Sequence, residues 1–473
     1  MTMNTSNEYI VAGETGKNLD ARLSPFIQNV IRSHELPGLA IGIVAGNEIV
    51  YARGLGVKHV ETQDPVSMTT LFHMASISKP FVATAIAQLI EQGQVRLDAP
   101  VITYLPYFKL DDDRYRNITV QQMLSHVSGM PDVTDYEWGT PQYDEGALER
   151  YVRSLSSNKL IAEPGEKFAY SNMAFECLGD VVAKVSGLSF DDYVKRYVLD
   201  PAGMTESSFL KPEYLPGNWA APHVRVLTSL AWAGYPYNRM HGPSSTLHSS
   251  ALEMCHWAIT NLNRGQFRGE QILAPSSYGI LWKPWAGIGR REQRTALAQI
   301  HSVGLSWFLG EYRGEKMVEH GGGDTGFNTY FVVLPDKQAA VVVLCNLIPA
   351  PVEAIAHSAL DILLGYEPVP LLPYASLSVC KTLSAEGLDA AVAQWNSLKS
   401  NHPDEYDLSP SQFDNLYNAV SLDRVQDAES IAGLCARVLP ESDVKAIEDG
   451  FSEYRSRAAM AVLKALRECR EQQ

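Results

Sequence analysis

GLAIGIVA (residues 38–45) and IVYARGL (residues 49–55) are apolar, partly β-branched runs separated by the turn-rich Ala45-Gly46-Asn47-Glu48, a pattern that reads as a β-hairpin. Far downstream, NTYFVVL (328–334) and AAVVVLCN (339–346), split by Pro335-Asp336, repeat it. Two hairpins so distant in sequence share one antiparallel sheet only if the stretch between them is a large insertion. That stretch reads as helical and loop-rich. Within it, KPFVATAIAQLIEQG (79–93) carries apolar residues at 82, 85/86 and 89/90 and stops at Gly93, and NMAFECLGDVVAKVS (172–186) repeats the spacing and ends at Gly187. The expected fold class is therefore α+β: an antiparallel sheet flanked by helices, with a large helical insertion.

After an amphipathic segment at 352–364 comes YEPVPLLPY (366–374), whose prolines mark a linker. Beyond it the pattern is helical, with stripes at Leu388, Ala391, Val392, Trp395 and Leu398, at Phe413, Leu416, Tyr417 and Val420, and at Ala428, Ile431, Ala432 and Cys435. The expectation is a main domain over 1–368 and a small all-α domain over 375–473. Pro403 and Pro440, like Ala391 and Ala428, are 37 residues apart, close to the ~34-residue period of tetratricopeptide arrays. A plain amphipathic bundle stands beside that reading as an equal alternative.

The chain has 473 residues, 45% hydrophobic and 20% charged, with a formal net charge of -15. No Lys/Arg block is dense enough to follow a phosphate backbone or an anionic lipid surface, so neither nucleic acid nor membrane is an expected partner. The opening MTMNTSNEYIVAGETG lacks a basic and apolar leader, which gives a cytoplasmic expectation. Six scattered cysteines have no C-x-x-C pairing, and twelve histidines form no H-E-x-x-H pair, so neither a metal nor another cofactor is expected.

Three strings carry chemistry. Ser76-Ile77-Ser78-Lys79 sits where a loop turns into the buried helix. Three residues apart, Ser76 and Lys79 project from one face of a first turn, and a Lys withdrawn from water can be neutral enough to take a serine proton. Tyr170-Ser171-Asn172 follows the turn EPGEKF, offering a phenol to relay a proton and an amide to hold a carbonyl. Glu319-His320-Gly321-Gly322-Gly323-Asp324 precedes the strand NTYFVVL; there glycines at a strand edge admit a substrate backbone, and the N–H of Gly323 can join that of Ser76 in an oxyanion hole. Gly321, Gly323 and Gly326 also fit G-x-G-x-x-G, but a strand follows where a dinucleotide site needs a helix. No G-x-S-x-G elbow is present.

In this order, with LPGLAIGIV, ITVQQMLSHVSGMPD, EPGEKFAYSN and VGLSWFLG between and around them, the strings resemble the penicillin-binding-protein-like serine hydrolases, in their class C β-lactamase, D-aminopeptidase and esterase branch. The resemblance implies the serine β-lactamase/penicillin-binding-protein-like fold and an acyl-serine cycle: Ser76 as nucleophile, Lys79 and Tyr170 sharing the proton work, and Asn172, His320, Gly322 and Gly323 binding substrate. Class C β-lactamases carry Lys-Thr-Gly where this chain has His320-Gly321-Gly322, which points away from antibiotics and towards an ester, amide or small-peptide bond. Trp138, Tyr235 and Tyr237, in aromatic loops of the insertion, are expected to wall the cleft. A slow-acylating or non-catalytic binding module of the same fold is the alternative, with residues 375–473 open to a protein partner or a second copy of the chain.

Overall fold

The computed structural model describes residues 9–211, 217–232, 234–295, 297–409, 413, 415–451 and 456–471. The first residues of the chain and the side chains of Tyr417 and Cys469 lie outside the described set. Nine strands form one sheet, and its centre is built as the two hairpins imply: Gly38–Ala45 and Glu48–Gly56 pair with each other, and Ala339–Cys345 pairs antiparallel with both Gly38–Ala45 and Phe327–Leu334. The chain leaves the sheet after Gly56 and returns to it at Ala286–Thr295, with the helical insertion between.

The reason Ala339–Cys345 is an unbroken apolar run is that both its faces are covered. Val341, Val343 and Cys345 point into a core shared with the helices Gly13–Ser33 and Val352–Leu363. Val342 and Leu344 point into the larger core shared with the insertion helices Lys79–Glu91, Asn172–Ser186 and Ala251–Leu262. Side chains alternating at a period of two thus serve two cores at once.

The Asn172–Ser186 helix has the bounds its sequence pattern gives. Ser171 caps its start by accepting from the Ala174 N–H, and Gly187 ends it at φ 74°, a left-handed conformation that favours glycine. Past the linker, helices at Ala375–Glu386, Leu388–Asn401, Asn415–Ser421, Val425–Val438, Glu441–Phe451 and Arg457–Glu471 enclose a third core. Val224 and Val226, from the hairpin His223–Val226/Ser229–Trp232, enter that core, so the tail is packed on the body of the protein rather than tethered to it.

Candidate active site

Ser76 lies on a short 3-10 turn, Ala75–Ser78, from which the Lys79–Glu91 helix continues. Ala75 holds φ 48°, a costly conformation for a residue with a Cβ, and it turns the chain sharply just before the serine. The helix that follows is buried from Lys79 through Leu89, so Lys79 is drawn into the interior with its stem and amine at 0% exposure. Its Nζ lies 2.9 Å from Ser76 Oγ and donates to the Ser244 carbonyl at 2.8 Å.

Ser244 reaches that position because the Asn172–Ser186 helix has a glycine where Pro243 seats. A Cβ on Gly179 would stand 2.1 Å from Pro243 Cγ. The same helix carries Glu176, fully buried, whose Oε1 accepts from Ser244 Oγ at 2.5 Å and from His241 Nδ1 at 3.1 Å. Burial lowers the Lys79 pKa to about 7, against a smaller upward pull from the carboxylates of Glu176, Asp132 and Asp324. Near neutrality the amine therefore exists in both protonation states.

Tyr170 arrives from the opposite side. Its segment is fixed by the Ala169 N–H donating to the His126 carbonyl at 2.8 Å and the Ser171 N–H donating to His126 Nδ1 at 3.2 Å. The His126 ring stacks on Tyr170 at 4.2 Å. The phenol shares a hydrogen bond with Ser76, and burial raises its pKa above the ordinary tyrosine range. Lys79 Nζ sits 4.9 Å from the centre of the Tyr170 ring, so hydroxyl, amine and phenol converge. Asn172, buried, is oriented by Asp132: its backbone N–H donates to Oδ1 at 2.7 Å and its Nδ2 at 2.9 Å.

The Glu315–Asp324 strand supplies the facing wall, with one correction to its expected place. It is an interior strand, flanked by Phe308–Tyr312 and Phe327–Leu334, not the edge of the sheet. An edge arises locally because pairing with Phe308–Tyr312 stops at Phe308↔Glu319, while pairing with Phe327–Leu334 runs on to Asp324↔Phe327. At Gly322 a Cβ would come within 2.3 Å of both the Met74 carbonyl and Thr329 Oγ1, so only glycine lets the strand lie against the turn that carries Ser76. Thr329 Oγ1 donates to the Met74 carbonyl at 3.0 Å and ties the two together. His320 is buried, donates from Nδ1 to the Gly321 carbonyl at 2.7 Å and meets Phe308 edge-on.

Ser76, Tyr170, His320, Gly322 and Gly323 line one cavity of about 760 Å³. Its aromatic walls are Phe168, Phe308, Tyr330 and Tyr374. Trp138, Tyr235 and Tyr237 do not line it, against expectation. Trp138 stacks on Tyr136 at 4.7 Å, while Tyr235 and Tyr237 pack against His248, at 5.7 and 6.3 Å, in an aromatic cluster that also holds His73. Glu176, Asp132 and Ser244 were not singled out from the sequence. Glu176 is one helical turn beyond Asn172, a carboxylate in a largely apolar stretch, and that was the signal available. Among the described residues no group of three His, Cys, Asp or Glu side chains could hold a metal ion, and no helix is long and apolar enough to cross a membrane.

An antiparallel sheet covered by helices on both faces, with a helical insertion closing a cleft over one strand, is the fold of the penicillin-binding-protein-like serine hydrolases. Residues 20–365 match the family described as Beta-lactamase, and the chain belongs to that family. It is 25% identical over 330 residues to Protein flp of Staphylococcus aureus, covering 69% of this chain and 63% of that protein, so it spans under two thirds of that relative's length. It is 26% identical over 320 residues to penicillin-binding protein 4 of Amycolatopsis lactamdurans, covering 66% of this chain and 81% of the relative. Among solved structures it is similar to the octameric penicillin-binding protein homologue from Pyrococcus abyssi, with a TM-score of 0.64, 28% identity and coverage of 79% of this chain and 82% of the other.

Proposed function

We propose that this protein hydrolyses an ester, amide or small-peptide bond through an acyl-serine intermediate on Ser76. The observation that carries the reading is the fully buried Lys79 amine, held 2.9 Å from Ser76 Oγ and 2.8 Å from the Ser244 carbonyl. A neutral amine keeps its donor bond to Ser244 and turns its lone pair to the serine hydroxyl. Of the two candidate bases, Lys79 is brought down to about 7 while Tyr170 is pushed up, so at neutral pH the amine accepts the proton and the phenol stays protonated.

In the proposed cycle Ser76 Oγ attacks the substrate carbonyl and Lys79 takes its proton. The oxyanion is held by the N–H groups of Ser76 and Gly323. Tyr170 gives its proton to the leaving oxygen or nitrogen and is reprotonated from Lys79. Water then attacks the acyl-enzyme by the reverse route, and Ser76 regains its hydrogen. His320-Gly321-Gly322 offers neither a fixed cation nor a hydroxyl for a substrate's anionic group, which supports a neutral ester or amide over a β-lactam.

The test is covalent. A fluorophosphonate should add one equivalent of mass to the peptide containing Ser76, and Ser76→Ala should lose both the adduct and turnover of nitrophenyl acetate, by about 10⁴ or more, with its melting temperature unchanged. Labelling at another residue, or activity retained in Ser76→Ala, overturns the proposal.

A further inference from the structure

A second cavity, of about 500 Å³, adjoins the first and shares Pro351, Ala354 and Tyr374 with it as common walls. Beside His34, Tyr312, His357 and Asp361 of the main body, its wall is built by two segments that catalysis at Ser76 does not need. These are the linker, through Leu371 and Leu372, and the loop after the Leu388–Asn401 helix, through Pro403 and Leu408. The two segments are joined by main-chain bonds: the Ala375 N–H donates to the Asp407 carbonyl and the Asp407 N–H to the Pro373 carbonyl, each at 3.0 Å.

Two of the polar side chains in this wall are bonded within the protein. Asp361 accepts from Tyr312 Oη at 2.6 Å and from Arg313, and His357 Nε2 lies 3.4 Å from Tyr330 Oη. The surface left to a ligand is mostly apolar, with proline and leucine beside the rings of Tyr374 and Tyr406. Val369, 52% exposed, marks the rim. Both volumes fall within the ~300–1,000 Å³ usual for small-molecule sites.

We infer that the linker and the helical tail complete the substrate site, forming a chamber that takes the unbranched apolar acyl chain of a substrate whose carbonyl lies at Ser76. The occupant follows from adjacency: Ser76 lines the first cavity, and a chain extending from its carbonyl along Pro351, Ala354 and Tyr374, which border both cavities, would reach the leucine-lined space. Only the kinetic part of the test rests on the acyl-serine reading.

Binding is measured first, in Ser76→Ala, by equilibrium dialysis of the anilides of octanoic and acetic acid. Each methylene that leaves water is worth about threefold to fourfold in affinity, so the octanoyl compound, with six more methylenes, should bind on the order of a thousandfold tighter. Leu408→Trp, which fills the chamber, and Leu371→Asp, which charges it, should each cut that ratio at least tenfold without changing the acetyl compound. Two substitutions on different segments guard against one of them failing to fold. The kinetic counterpart is kcat/KM of the Ser76 enzyme on nitrophenyl octanoate against acetate, expected to follow the same ratio. Equal affinity for the two anilides, or a ratio that neither substitution moves, overturns the chamber. Binding as expected with no ester turnover leaves the chamber standing and overturns the acyl-serine reading, whereas turnover indifferent to chain length overturns the chamber alone.

Discussion

Two regions face the same cleft and are held in opposite ways. Around Ser76 the polar groups are held mainly by one another: Lys79 on Ser244 and Ser244 on Glu176 in the interior, Tyr170 stacked under His126, and Asn172 on Asp132 nearer the surface. At the junction with the helical tail the partners are fewer and wetter. Glu35 pairs with Arg225, 8% exposed, and with Lys381, 56% exposed, and main-chain bonds stitch the linker to the 403–409 loop. The contrast teaches a division of labour: charge placement in the interior fixes the chemistry, while the junction can vary in sequence and shape without disturbing it. Substitutions on either side should therefore separate activity from stability.

The largest separation is expected at Lys79. Lys79→Met should lower kcat/KM on nitrophenyl acetate by about 10³ through loss of the general base. It should leave the melting temperature equal or higher, because an apolar chain of similar length replaces a desolvated amine. Steady-state kinetics and calorimetry read the two effects. A fall in stability with activity retained would make Lys79 a structural residue and erase the contrast.

Arg225→Met should do the reverse. The guanidinium donates to Glu35 Oε2 at 2.8 Å and to the carbonyls of His34 and Glu35 at 3.0 Å. Its removal strands buried acceptors at a cost of about 2 kcal/mol, read from urea unfolding. Turnover of the acetyl ester should stay within about twofold.

A finer effect comes from Glu176, which sharpens the interior half of the contrast. As the proposed base Lys79 must be neutral to act, so the rate is expected to rise as pH passes upward through its pKa of about 7. The Glu176 carboxylate pulls that value up, so Glu176→Gln should move the rising limb to lower pH. The pH profile of kcat/KM measures it. A limb that moves to higher pH would remove Glu176 from the control of the amine.

The parts of this picture that were legible in the sequence are the local ones. The period-two runs at 38–45 and 339–346, the helix at 172–186 with its Ser171 start and Gly187 stop, and the three-residue spacing of Ser76 and Lys79 each depend on neighbours in the chain. The parts that were not depend on distant packing. Ser244 contributes a main-chain carbonyl, which no side-chain pattern announces. Tyr235 and Tyr237 sit in a loop whose aromatics could face the cleft or the interior, and burial against His248 settled it inward. The aromatics that line the cavity, Phe168, Phe308, Tyr330 and Tyr374, stand in turn, strand and linker strings where they read as packing. The glycine strand was read as an edge, and it is one only because its neighbour ends at Phe308.

The smallest effect is expected at Lys381, and it tests the junction half of the contrast most closely. Lys381 and Arg225 share the Glu35 carboxylate, yet they differ in solvent contact. The Lys381 ammonium gains little from its pair, since water and salt screen it and a long side chain must be held still, so Lys381→Met should cost no more than ~0.5 kcal/mol. That cost should fade in high salt, while the Arg225→Met cost should persist, because its bonds to two main-chain carbonyls are shielded from ions. If the two substitutions cost the same, or if both costs vanish in salt, the junction is held by charge at its surface rather than by the single guanidinium buried behind it.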